Sequence, residues 1–311
     1  MPCFVALPRD HSRVSLAQIS PLLDQLVRLP GATDVLVNGA AEIWVDVGSG
    51  LKRVAAAFDS DAQLEAVARS LMAAGHRHID VANPLCDVML PRHWFEGSEV
   101  GAVRVHAVLR GVITEATSLS VRVHPRRHLN LDELIAAGML SAEVAGRVVS
   151  ALSTGASLLV SGATGTGKTT LLRALLQAVP TERRVVLEDI AELGAVGEGS
   201  VALQVRQANT EGRGHIGLAE LLRQSLRMRP DRIVIGELRG AELPPLLEAA
   251  NSGHSIAATL HARSAAQVAQ RLMTIGVAQG LDAQVVERLS QGAFDIVLQL
   301  ERAGGVRRVV L

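Results

Sequence analysis

Eight consecutive residues, Gly162-Ala-Thr-Gly-Thr-Gly-Lys-Thr169, constrain this chain more than any other feature of its 311 residues. Before them runs ASLLVSG, apolar throughout its centre; after them runs KTTLLRALLQAV, apolar at helical spacing and stopped by Pro180. A buried strand must therefore turn into a helix through a glycine-rich loop. Such a loop wraps its backbone N–H groups around phosphate oxygens, and the helix N-terminus adds a favourable field for an anion. The pattern G-x-x-x-x-G-K-[ST] in this setting predicts a nucleoside triphosphate site formed by Gly162, Ala163, Thr164, Gly165, Thr166, Gly167, Lys168, Thr169 and the adjoining Thr170. Lys168 is expected to reach the β- and γ-phosphates and the Thr169 hydroxyl to ligate Mg²⁺.

Around this turn the pattern alternates. RRVVLED, VALQVRQ, RIVIGE and SIAATLH read as strands, while LAELLRQSLRM, AELPPLLEAAN and AAQVAQRLMTI read as helices ended by proline or glycine. Continuous apolar strands alternating with helices predict a mainly parallel sheet covered on both faces. The first part of the chain differs. TDVLVNG, EIWVDVG and LKRVAAAF are short runs separated by glycine that predict antiparallel strands. Ser60 to Gln63 forms a capping box, followed by Leu64, Val67, Ala68 and Leu71 on one helical stripe. GAVRVHAVLR and SLSVRVH are again strand-like, and HPRRHLN then gathers proline, charge and Asn130. This places a boundary between a domain over 1–125 and a second over 126–311.

Composition narrows the function classes. Lys+Arg and Asp+Glu are each 31, so the formal net charge is zero. A protein that grips a nucleic-acid backbone carries a basic surplus, and one that stacks bases needs more aromatics than the 2% here, so no tightly bound nucleic acid is expected. Two cysteines, Cys3 and Cys86, supply neither a disulfide framework nor a four-thiolate zinc site. No run of about 18 apolar residues occurs, so a soluble chain in a reducing compartment is expected.

Carboxylates beside the phosphate loop are the candidates for chemistry. Glu188 and Asp189 end a buried strand, with Glu192 shortly after, at the carboxyl edge where parallel sheets bind ligands. Glu188 is expected to hold the metal's water shell or orient water. Ile233-Val-Ile235 leads through Gly236 to Glu237, which is expected to polarise the attacking water, with Arg239 pairing an acid or a phosphate. His254 and His261 flank the following strand, and His261 is read as a γ-phosphate sensor. Arginines cluster at 122, 126 and 127 and at 223, 227, 229 and 232; each is a candidate for phosphate contact or simply an exposed charge.

Taken in order, GATGTGKT, LEDIAEL, LRMRPDRIVIGELRG and NSGHSIAATLHA resemble the secretion ATPases of bacterial type II and type IV systems, closest to the tight-adherence (Tad/Flp) pilus and conjugal-transfer-associated branch. RQANTEGRG, and the amino-terminal TDVLVNGAAEIWVD and SLSVRV, extend the resemblance over roughly residues 15 to 300. The resemblance implies a RecA-like ATPase domain preceded by a smaller PAS-like α/β domain that covers the nucleotide. It implies ATP and Mg²⁺, a hexameric ring at the inner face of the cytoplasmic membrane, and an inner-membrane platform protein as partner. By position it implies that Lys168, Thr169, Glu188, Glu237 and His261 fill the family's catalytic places, and that Arg104 and Arg122 approach the phosphates. NSGH stands where the family has NTGH, and Pro244-Pro245 stands where it has an acid and an apolar residue; a proline pair is tolerated only in a helix's first turn. A nucleic-acid motor on the same core, a small-molecule kinase and a non-hydrolysing nucleotide switch are the alternatives.

Overall fold

The computed structural model describes residues 15–90, 92–111, 113–179, 182–206, 213–303 and 306–310. The chain divides into two compact units that meet in sequence at Arg127 and His128, two residues beyond the boundary the composition suggests.

The first unit opens with α1 (Leu16–Ile19) and α2 (Pro21–Val27). Pro21 occupies the first turn of α2, and the Ser20 hydroxyl accepts from the Leu23 N–H. There follow β1 (Asp34–Asn38), β2 (Ile43–Asp46), β3 (Leu51–Arg53), α3 (Asp61–Ala74), β4 (Leu85–Met89), β5 (Val100–Val108) and β6 (Ser118–Pro125). Every pairing is antiparallel, in the order β3-β2-β1-β6-β5-β4. The strand expected over LKRVAAAF stops at Arg53, because three successive alanines offer no branched or aromatic surface to a pleated face. The Ser60 hydroxyl caps α3 at Gln63 N–H, while the Gln63 side chain returns to Asp59 N–H rather than to Ser60. Alternation gives the sheet two unlike faces. Val35, Val37, Ile43, Val45, Val121 and Val103 join Leu64, Ala68 and Leu71 in one core. On the other face, register lines up Asp34, Arg122 and Arg104 across three strands.

The second unit holds α4 (Leu131–Ala136), α5 (Ala142–Ser153), β7 (Leu158–Gly162), α6 (Lys168–Ala178), β8 (Arg184–Glu188), β9 (Val201–Gln204), α7 (Leu218–Ser225), β10 (Arg232–Leu238), α8 (Leu243–Asn251), β11 (Ser255–His261), α9 (Gln267–Ala278), α10 (Ala283–Ser290), β12 (Ile296–Ala303) and β13 (Val306–Val310). The sheet runs β13-β12-β7-β11-β10-β8-β9, parallel throughout except for the terminal β12–β13 pair. Both faces are covered. Leu158, Val160, Val186 and Val234 pack toward α4, α5 and α6, while Leu159, Val185, Leu187 and Ile235 pack toward α7, α8 and α9. The helix expected through LAELLRQSLRM ends as α-helix at Ser225 and tightens into a 3₁₀ turn over 226–228 before Pro230. Pro244 and Pro245 fall in the first turn of α8, where a missing N–H costs no helical bond.

The amino-terminal edge of this sheet contains two almost fully buried arginines, Arg184 and Arg232, which share Glu182 Oε1 at 2.7 and 2.9 Å. Their other donors go to carbonyls: Arg184 to Val196 and Val179, Arg232 to Ala156 and Leu152. Val179 and Leu152 lie at the C-terminal ends of α6 and α5, where a cation meets the negative end of the helix dipole. Removing the shared carboxylate strands two desolvated charges. Glu182→Ala is expected to cost about 3–5 kcal/mol, read as a lowered urea midpoint of the full chain; a wild-type midpoint would contradict this account.

Candidate functional site

β7 lies between β11 and β12, and the chain leaves its carboxyl end through the glycine-rich loop into α6. At Gly162 the loop passes so close to β12 that a Cβ would sit 2.7 Å from the Leu300 carbonyl oxygen and 2.7 Å from Thr166 Oγ1. Only glycine fits. Thr166 Oγ1 donates to the Ala163 carbonyl at 2.9 Å and closes the loop on itself. Gly167 takes the left-handed conformation, φ +96°, and caps α6. Ala163, Thr164 and Gly165 are exposed, so the loop presents its own backbone at the helix N-terminus.

Lys168 sits in the first turn of α6 with its side chain folded inward and only 7% exposed. Its Nζ donates to the carbonyls of Gly162 at 3.1 Å and Ala163 at 3.0 Å, and approaches His261 Nδ1 at 3.0 Å. Burial pulls its pKa down; Glu237 and Glu192 oppose that pull. His261, at the end of β11, lies opposite Gly162 in the sheet register. An ammonium group has donors only, so His261 Nδ1 must accept, and the ring proton belongs on Nε2. That nitrogen meets Glu237 Oε1 at 2.8 Å. Burial first, and the Lys168 charge second, hold the His261 pKa below its ordinary value, so this imidazole is neutral at pH 7.

Glu237 is aimed at His261 by an irregularity in β10. Ile235 pairs with Ala258 and Leu238 with Leu260, so Gly236 and Glu237 bulge against the single residue Thr259. The buried Thr259 hydroxyl fixes the bulge by donating to the Gly236 carbonyl at 2.6 Å. Arg239 Nη2 donates to the other Glu237 oxygen, and this bond raises the arginine's pKa. Glu242 accepts from the Arg239 and Gly240 backbone N–H groups and holds the loop after the strand. Lys168, His261, Glu237 and Arg239 thus form one hydrogen-bonded chain.

Glu188 does not join it. Its Oε1 accepts from the Glu192 and Leu193 N–H groups at 2.9 and 2.7 Å, and its Oε2 from Gly194 at 2.9 Å. Burial raises its pKa against these three bonds. Both Glu188 oxygens thus shape a turn, and each carboxylate oxygen with its two lone pairs keeps acceptor capacity toward water or a metal's water shell. Gly236 makes room for it: a Cβ there would lie 3.0 Å from Glu188 Cγ. The turn brings another acid forward. The charge of Glu192 acts on both Lys168 and Arg239, and that of Asp189 acts on Arg239. Sequence spacing gives no hint that the later glutamate, rather than the strand-ending one, contributes its charge at the lysine.

The remaining candidates separate. His254 Nδ1 meets the Ala249 carbonyl at 3.3 Å, a structural contact at the end of α8. Arg232 is buried in the sheet edge, Arg223 pairs with Glu220, and Arg227 donates to the Arg223 carbonyl. Arg104 and Arg122 lie opposite one another on β5 and β6 in the first unit, each held by an aspartate, Asp87 and Asp34. Each guanidinium has five N–H donors, so these pairs leave donors over for an anion. Thr169 and Thr170 are half-buried in the first turn of α6. Among the described residues no three acids, histidines or cysteines gather as a metal site. The donors that fit Mg²⁺ are the Thr169 hydroxyl, water and the phosphates themselves, the usual surroundings of this ion.

A family model described as type II/IV secretion system protein matches residues 15–302. The chain is 41% identical to a Mycobacterium tuberculosis protein named for conjugal transfer, over 92% of this chain and 81% of the other. It is 30% identical to the conjugal transfer protein TrbB of Rhizobium radiobacter, covering 97% and 90% of the two. The structure superposes on the Legionella pneumophila ATPase DotB with a TM-score of 0.65 at 20% identity, covering 96% of this chain and 80% of that one. The RecA-like fold is shared with that protein.

The lysine–histidine contact has a measurable consequence. The His261 titration followed by NMR is expected to have its midpoint below 6.5. Lys168→Met, which removes the nearby positive charge, is expected to raise that midpoint. Because the folded value lies below the unfolded one, this contribution to stability is present above the unfolded pKa and is lost as pH falls through the folded pKa. A midpoint unmoved by the lysine substitution would refute the contact.

Proposed function

The chain belongs to the type II/IV secretion system protein family, and from that membership we propose that it hydrolyses Mg²⁺-ATP to power a type IV pilus or secretion machine of the Tad/Flp kind. The observation that carries this reading is the chain Lys168–His261–Glu237 at the end of the phosphate-loop strand. It joins a phosphate-binding cation to a carboxylate through a neutral imidazole. The loop amides and the α6 N-terminus hold the phosphates. Lys168 exchanges the Gly162 and Ala163 carbonyls for phosphate oxygens, a better partner for a half-desolvated ammonium. Mg²⁺, held by Thr169 and the phosphates, would neutralise charge that builds on the leaving group. Glu237 accepts the proton of a water whose oxygen attacks the terminal phosphorus, while the bond to the bridging oxygen breaks and ADP departs. His261, bonded to both partners, orients Glu237 and registers the terminal phosphate through Lys168. Glu188 acts as a positioning residue for the Glu192 turn.

The working form proposed is a homo-oligomeric ring, a hexamer by family resemblance, at the inner face of the cytoplasmic membrane and delivering work to an inner-membrane platform protein. No described helix is long and apolar enough to cross a membrane. Arg239 is largely exposed, and a ring would let an arginine of one subunit complete the site of the next. ATP turnover by the purified full chain is expected to vanish in Lys168→Ala and to fall about a hundredfold or more in Glu237→Gln. Turnover per subunit should drop on dilution through the assembly range. Undiminished hydrolysis in Lys168→Ala, or activity indifferent to dilution, would contradict the motor reading.

A further inference from the structure

The terminal hairpin places two arginines, Arg302 and Arg307, on the face of the sheet that carries the phosphate loop. Gly162, Leu300 and Val309 form one row across β7, β12 and β13. Leu300 and Val309 both pack into the core beneath α6. Side chains alternate along a strand, so Arg302 and Arg307, two residues further toward the carboxyl edge, lie on that same face. They are also direct cross-strand partners. Like charges placed opposite one another repel. Among the described residues neither has a carboxylate partner, because Glu301 and its partner Arg308 occupy the other face. Arg307 reaches the loop itself: a Cβ on Gly167 would stand 3.7 Å from Arg307 Cδ.

The site therefore has two ends. β11 and β10, on one side of β7, carry His261 and Glu237 with the Lys168 ammonium between strand and loop; β12 and β13, on the other side, carry the arginine pair. For a triphosphate with its terminal phosphate at the lysine and acid end, the hairpin lies on the side of the loop away from those acids. We infer that Arg307, with Arg302 beside it, binds the phosphate nearest the nucleoside. This rests on the nucleotide reading of Gly162–Thr169 given above and adds a residue that no motif of the sequence marks. Its ligand class is nucleoside diphosphates and triphosphates alike, because the inner phosphate is common to both. Such a contact is made equally in ground and transition states, so its loss belongs in KM. Loss at Glu237 belongs in kcat.

The test is calorimetric titration of the full chain with ADP and with a slowly hydrolysed ATP analogue, both with Mg²⁺, alongside steady-state hydrolysis. Arg307→Ala is expected to weaken both nucleotides by a similar factor, about tenfold or more, with Arg307→Lys recovering part of the loss and KM rising in step. Retention of wild-type ADP affinity in Arg307→Ala would overturn the inference. So would weakening of the triphosphate analogue alone, which would put the guanidinium at the terminal phosphate, or a loss confined to kcat. The fold is controlled by the urea midpoint; if Arg307→Ala lowers it, Arg307→Gln is titrated in its place and judged by the same outcomes. Failure of the nucleotide reading looks different: wild type would bind neither nucleotide, or Lys168→Ala would bind both as wild type does.

Discussion

A half-desolvated ammonium group governs the second unit. Lys168 cannot sit at the inner end of a sheet buried on both faces unless every donor finds oxygen or nitrogen, because an unpartnered charge there costs far more than any single packing contact returns. The loop supplies two carbonyls and β11 supplies an imidazole nitrogen. That requirement explains why Gly162 must approach β12 so closely, why His261 stands level with it, and why the imidazole is neutral. A protonated histidine would have no acceptor to offer the lysine. Phosphate oxygens satisfy the same ammonium better than carbonyls do, so the arrangement is built to be exchanged.

Two devices hold this assembly in place. At the carboxyl edge, the bulge at Gly236 and Glu237, locked by Thr259, turns a strand-end carboxylate toward the histidine. A regular strand would have sent that side chain elsewhere. At the opposite edge, Arg184 and Arg232 cap the C-terminal ends of α6 and α5 and share Glu182. The phosphate-loop helix is thereby gripped at both ends: by its own glycine cap beside the ligand site, and by a buried guanidinium at its far end. A buried ion network of this sort is a poor source of net stability but a strict determinant of which strand ends lie together.

The acidic segment after β8 shows how a side chain can serve a site without touching it. Glu188 accepts three backbone N–H bonds on its two oxygens and so shapes the turn that carries Glu192, whose charge, with that of Asp189, acts on Arg239. Gly236 is small because Glu188 lies over it, so the residue before Glu237 and the residue ending β8 are coupled by contact across the sheet.

The amino-acid sequence by itself determined the phosphate loop, the alternation that makes a parallel sheet, the proline pair's place in a first turn, and Lys168 and Glu237 as the residues to watch. These are local properties: glycine spacing, apolar period and capping chemistry act within a few residues of where they are read. The direction of Glu188, the role of Glu192, the burial of Arg184 and Arg232 and the approach of Arg307 to Gly167 were decided only by tertiary structure. An arginine reads the same in sequence whether it is solvated, buried on a carboxylate or facing an anion. Its surroundings come from strands far apart along the chain, and only their pairing in the sheet fixes which of these it is.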